Sequence, residues 1–321
     1  MSPKTKRTYE GGVIEISHAG RWVVTPVRAW RYRGTSSYQD IAIGDVDFMG
    51  TCLFLDGWMQ LAEADEYVYH EHLVLPPLLA HPQPSQVLIL GGGDGLAARE
   101  ALRHAQVAQV TLVDLDEDVV NACRVHLAHL QEGALDDPRL DIYIADARDI
   151  LQHPETQYDV ILVDLVDLMP ATLGLFEDVF AHIHAALKPG GVVVTHGPDP
   201  GPPQYEGLLA VAFMRQSFKH VVWYKGFITS FGETWTFVMG SNEVDFTALS
   251  PEQWRKRMEH WRGTPRSLVP EALPAMFLHP KSTEDIIAQM VAGTFPRPTT
   301  EWHAVVLSGQ QMKRLQELTE Q

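Results

Sequence analysis

Val87-Leu88-Ile89-Leu90-Gly91-Gly92-Gly93-Asp94-Gly95 is a continuous apolar run that stops at a glycine loop. An apolar run of this kind is a strand covered on both faces. Glycines at its end let a ligand approach the backbone closely and place it at the N-terminus of the helix that follows. Downstream the alternation repeats: helix 96–104, strand 110–113, helix 118–130, strand 140–144, strand 160–163, helix 175–187 and strand 191–195. Strand-helix alternation at this pitch predicts a parallel, doubly wound α/β sheet. A helix after Glu206 leads to the runs 220–224 and 234–238, which are placed to close the sheet as an antiparallel hairpin.

Upstream, residues 12–57 hold short runs rich in Val, Ile, Trp, Tyr and Phe, such as 22–27 and 52–55, broken by Gly and Asp turns. They predict a small antiparallel N-terminal sheet. From 59 to 79 the pattern turns helical, with Leu61, Tyr69 and Leu73 in phase until Pro76-Pro77 ends the segment. The tail after Ser250 reads as helical, with Trp254, Met258 and Trp261 on one face. The expected organisation is a β-domain over 1–60, a connecting helix and linker over 61–84, an α/β domain over 85–250 and a helical extension over 251–321.

The 321 residues carry 25 Lys+Arg against 41 Asp+Glu, a formal net charge of −16. That balance argues against a partner whose phosphates must be neutralised, so no nucleic acid is expected. It suits cationic partners, or solubility alone. Only Cys52 and Cys123 are present, which reads as buried thiols in a reducing, cytoplasmic compartment. The first ten residues lack the apolar core of a signal peptide, and no run approaches the roughly 18 apolar residues of a membrane span. His126/His129 and His182/His184 are the closest histidine pairs, and neither has a third ligand at a metal-site spacing, so no metal is expected.

The loop reads G-x-G-x-G with Leu96 next, so the dinucleotide fingerprint is not met. The following strand ends at Asp114, placed to accept ribose hydroxyls, and the third ends at Asp146-Ala147, placed to meet an adenine edge. Each acid alone could be a helix cap. Together with the loop they favour an adenosine ligand of the S-adenosyl type. The fourth strand ends in Asp164-Leu165-Val166-Asp167, delivering two carboxylates to the same crevice unless Asp167 merely caps a turn.

Ser37-Tyr38-Gln39-Asp40-Ile41, the segment from Gly50 through Asp56-Gly57 to Gln60, Glu63-Ala64-Asp65-Glu66, Tyr69-His70-Glu71, the glycine loop and D-x-x-D together resemble the polyamine aminopropyltransferases, the spermidine synthase family. The resemblance covers roughly 36–241. It implies an N-terminal β-domain followed by a Rossmann-like, methyltransferase-type domain, transfer of the aminopropyl group of decarboxylated S-adenosylmethionine to an amine with release of 5′-methylthioadenosine, no prosthetic group, and a homodimer or homotetramer. Carried over, Gln39, His70 and Asp94 would hold the aminopropyl end, Asp114 the ribose, and Asp146 with Ala147 the adenine, with Gly91 of the loop also against the co-substrate. Asp164 would be the catalytic acceptor, with Tyr69, Asp167 and Trp235 at the amine.

Four departures stand out. The family usually has Glu where this chain has Asp114, and D-S-S-D-P-x-G-P where it has Asp164-Leu165-Val166-Asp167-Leu168-Met169-Pro170-Ala171. It has Gln where this chain has His196. Spermidine synthases carry T-Y-P-S-G near the amine, whereas Ile228-Thr229-Ser230-Phe231-Gly232-Glu233-Thr234-Trp235 is similar to the I-P-S-F-x-[DE]-T-W of thermospermine-synthase-type members. Ser230 in place of a tyrosine would open room for a triamine. The reading is therefore an aminopropyltransferase acting on spermidine, giving spermine or thermospermine. A spermidine synthase acting on putrescine, an S-adenosylmethionine methyltransferase and a polyamine-binding protein without turnover stand as alternatives.

Overall fold

The computed structural model describes residues 8–16, 22–167, 172–202, 205–296 and 303–319. The altered stretch 168–171 and the basic residues Lys4, Lys6 and Arg7 lie outside them. Two compact units are formed, one from 1–66 with 300–321 and one from 67–299.

The first unit is an antiparallel sheet. β1 (Gly11–Ile16), β2 (Trp22–Thr35), β3 (Asp40–Val46), β4 (Gly50–Leu55) and β5 (Trp58–Ala62) follow in sequence, each beside the last. The β4–β5 turn is Asp56-Gly57, both with positive φ (48° and 80°), the two-residue turn whose twist suits a hairpin. The tail differs from the expected all-helical extension, because His303–Ser308 is a strand that pairs antiparallel with β1, Gly11 against Ser308. It supplies the pairing that β1 lacks within the first five strands.

The second unit opens with α1 (Glu66–Ala80). The helix expected from residue 59 starts later, because Trp58–Ala62 alternates in burial as a strand does. It also runs through Pro76-Pro77, which were expected to end it. Pro76 has no N–H for the carbonyl of His72 four residues back. The hydroxyl of Tyr224 donates to that oxygen instead at 2.6 Å. At the helix end, Arg257 donates to the carbonyls of Leu79 and Ala80 (2.8 and 2.5 Å). The Glu71 carboxylate accepts the backbone N–H groups of Arg266, Ser267 and Leu268 at 2.6, 2.8 and 3.1 Å, tying the helix to the downstream chain.

Then follow β6 (Gln86–Gly91), α2 (Leu96–Arg103), β7 (Gln109–Asp114), α3 (Glu117–His126), α4 (Ala128–Gln131), β8 (Leu140–Ile144), α5 (Ala147–Gln152), β9 (Tyr158–Asp164), α6 (Leu173–Ala186), β10 (Leu187–Gly197), α7 (Gly207–Ser217), β11 (His220–Ile228) and β12 (Glu233–Ser241). The sheet order is β11-β12-β10-β9-β6-β7-β8. The pairs joining β6 to β10 are parallel, and the β11–β12 hairpin closes the sheet antiparallel. From β6 the chain winds outward through β7 and β8, then returns to β9 on the other side. The carboxyl ends of β6 and β9 are thus the topological switch point, where open α/β sheets bind ligands. Trp254 and Trp261 of the tail pack into the core as expected. No helix among the described residues is long and apolar enough to cross a membrane.

Candidate active site

At the switch point Gly91 pairs with Asp164 across β6 and β9. A Cβ on Gly91, whose φ is +84°, would lie 2.0 Å from the Asp164 carbonyl oxygen, so only glycine lets the two strand ends meet. The loop then turns into α2. Asp94 accepts the Leu96 N–H at 2.8 Å, and its own carbonyl accepts from Gln131 at 2.7 Å. The second carboxylate oxygen of Asp94 lies 3.8 Å from Nε2 of the buried His70 on α1. Glycine loop, His70 and Asp94 are thus brought together.

Asp114 at the end of β7 spends one oxygen on the Gly93 N–H and the other on the Asp116 N–H, both at 2.9 Å. Burial raises its pKa against the pull of those bonds. Asp146 caps α5 through the Arg148 N–H (2.8 Å) and also meets the Arg148 guanidinium at 2.6 Å. The Arg148 bond holds its pKa below the usual range. The cap reading of Asp146 therefore applies, two residues past the end of β8, and Ala147 is the buried first residue of that helix. Gln39 belongs to the other unit, where its N–H donates to the Ser36 hydroxyl at 3.1 Å.

Asp164 accepts the Tyr69 hydroxyl at 2.5 Å. Burial, then the charge of Asp94, lifts its pKa to about 6, with His70 and Tyr69 opposing. The Tyr69 ring packs edge-on against His70 and His196, at 5.1 and 5.5 Å between centroids. Burial drives His196 down to about 4, so the ring is neutral. Trp235, expected at the amine, is 6% exposed and donates its indole N–H to His196 Nδ1 at 3.2 Å.

Asp167 is lifted to about 7 by burial and then by the charges of Glu206, Glu233 and Asp164. Glu206 and Glu233 are buried, at 0% and 7% exposure, and sequence reasoning missed both. Glu206 directly precedes α7 and Glu233 opens β12, so each looked like an ordinary element boundary. The strand order brings them to the β9 end, and nothing local in the sequence records that order.

Three comparisons bear on this geometry. The spermine/spermidine synthase domain matches residues 66–248. A polyamine aminopropyltransferase 2 of Pseudomonas aeruginosa is 36% identical over 86% of this chain and 81% of its own. Thermospermine synthase ACAULIS5 of Arabidopsis thaliana is 37% identical over 72% of this chain and 70% of its own. Among solved structures, the spermidine synthase from Thermotoga maritima superposes with a TM-score of 0.77 at 28% identity, over 90% of this chain and 97% of that one. A spermidine synthase in complex with the transition state analogue AdoDATO gives 0.78 at 29% identity, over 86% and 94%. Domain match, relatives and fold agree with the sequence resemblance: the chain belongs to the spermine/spermidine synthase family and is a polyamine aminopropyltransferase.

Proposed function

We propose that this enzyme transfers the aminopropyl group of decarboxylated S-adenosylmethionine to spermidine, giving spermine or thermospermine and 5′-methylthioadenosine. The observation that carries the reading is Asp164, part-buried at the switch point and bonded to Tyr69, with its pKa lifted to about 6 beside the glycine loop. The cradle fits an adenosyl sulfonium substrate: Gly91 and Gly92 have positive φ (84° and 71°), a Cβ on Gly93 would lie 2.6 Å from Asp114, and acids line the loop. His70 and Asp94 would hold the aminopropyl end, Asp114 the ribose, and Asp146 with Ala147 the adenine.

In the reaction the lone pair of the amine nitrogen forms a bond to the carbon beside sulfur. The carbon–sulfur pair leaves with sulfur, which becomes neutral, and the nitrogen gives up a proton. Two cations must be held together for this, and carboxylates fixed around the reacting centre offset their repulsion and stabilise charge moving onto nitrogen. Holding both substrates in line supplies on the order of 7–11 kcal/mol of the barrier. An alkylammonium with a pKa of about 10.4 needs about 4.6 kcal/mol to deprotonate at pH 7. Asp164 accepts that proton. Burial makes it a better base than an ordinary carboxylate of pKa about 3.9 while leaving it mostly ionised at neutral pH. Tyr69 orients the nitrogen against it.

The triamine reading draws on Ser230, buried at 7% where spermidine synthases carry tyrosine, and on the acids Glu206 and Glu233 that act on Asp167. A third ammonium has carboxylates to meet beyond the first two. Cys52 and Cys123 are free and buried, consistent with a reducing cytoplasm. Mass spectrometry with putrescine, agmatine and spermidine in competition tests the acceptor, and spermidine is expected to be consumed first. A product built on putrescine overturns the triamine, and a methylated product without methylthioadenosine overturns the transfer itself.

A further inference from the structure

We propose that Trp235 and His196 form a positioning pair for Asp164, in which the indole N–H fixes the His196 tautomer and the imidazole N–H holds the backbone at Leu165. The proposal rests on Asp164 as the proton acceptor. Three neighbouring strands carry it: Trp235 on β12, His196 on β10, and Leu165 just past β9.

Both ends of the imidazole are decided by their partners. An indole N–H only donates. At 3.2 Å from Trp235, Nδ1 of His196 is therefore the ring's acceptor, and the hydrogen of the neutral ring sits on Nε2. Nε2 lies 3.0 Å from the Leu165 carbonyl oxygen, which only accepts, so the second bond agrees with the first. The two rings stack at an interplanar angle of 20°, and Phe231 packs edge-on against the indole at 5.1 Å. His196 and Trp235 are 3% and 6% exposed, leaving little room for water to replace either bond.

The consequence falls on the reacting carboxylate. Nε2 is also 3.9 Å from Asp164 Oδ1, and the Tyr69 ring packs edge-on against the imidazole. A positive imidazole there would stabilise the carboxylate and weaken it as a base. A neutral ring bonded to the next carbonyl fixes the carboxylate's backbone without that penalty. The family resemblance assigns glutamine to this position, and an amide can likewise accept from an indole and donate to a carbonyl.

Histidine ring NMR on the ¹⁵N-labelled enzyme reads the tautomer directly, and His196 is expected to show a neutral Nε2–H ring at pH 7. Trp235→Phe keeps an aromatic ring and removes the donor. It is expected to disturb that tautomer and to lower kcat about tenfold with both KM values within about twofold. In a His196→Leu background the same substitution should cost less than about twofold, because the shared bond is already gone. His196→Gln should recover most of what His196→Leu loses. An Nδ1–H or protonated ring in the wild type, or additive losses with an unchanged tautomer, would overturn the pair. Asp164→Asn separates the two readings: turnover persisting in that variant removes the base, whereas the His196 signature reports the pair alone.

Discussion

β9 carries an aspartate at each end, and the two live in opposite environments. Asp159, near its start, accepts the N–H groups of Ser85 and Gln86 at 3.0 and 2.8 Å and Lys188 Nζ at 3.0 Å. Burial works to raise its pKa, yet those donors hold it below the usual carboxylate range. Asp164, at the end, has one tyrosine hydroxyl, further acids around it and a pKa pushed up to about 6. The same side chain is thus a structural anion where donors saturate it and, in the mechanism we propose, a proton acceptor where they do not. Donors stabilise the charged form, and burial beside like charges penalises it.

Substitution at each end should separate the two roles. Asp164→Asn is expected to lower kcat by about 10³ while methylthioadenosine still binds, within the range for loss of a general base. Calorimetry for binding and a coupled turnover assay check both halves. Asp159→Asn should cost about 1–3 kcal/mol of stability, read as a lower denaturation midpoint, because two backbone N–H groups and Lys188 lose a charged acceptor. Its kcat, measured on folded enzyme, should stay near wild type, and a large fall would break the comparison.

Asp167→Asn removes a charge held among Glu206 and Glu233. It is expected to raise the acceptor KM about tenfold while raising the melting temperature at pH 8, a trade of stability for activity. Thermal melts and initial rates on the same preparation decide this. A variant that melts earlier and binds acceptor normally would show Asp167 to be structural.

Stability against pH gives the smallest effect, with opposite signs at the two ends. Asp159 has a depressed pKa, so its contribution is present above the unfolded value of about 3.9 and lost as pH falls through the lower folded value. Asp164 and Asp167 have raised values, so their contribution is present below about 3.9 and lost as pH rises through about 6 and about 7. Asp164→Asn should therefore gain stability relative to wild type on going from pH 5 to pH 8, and Asp159→Asn should not.

Which features were legible in the sequence follows from how local their causes are. The glycine loop, Asp114, Asp164 and the closing hairpin rest on short-range patterns, and the structure has them where spacing put them. Pro76 was misread because its compensating donor, Tyr224, lies far along the chain. The strand at His303–Ser308 was missed because its partner is β1, at the opposite end of the chain. Glu206 and Glu233 acquire meaning only through the order β12-β10-β9, and the role of Trp235 turns on which nitrogen of His196 faces it.

The pH dependence of kcat/KM for the acceptor tests the central claim most directly, because it reports the ionisation of the free enzyme. The account predicts a rising limb between about pH 6 and pH 7, set by the coupled carboxylates Asp164 and Asp167. A limb near the ordinary carboxylate value of about 4 would contradict it, since Asp164 would then be no different from any exposed aspartate.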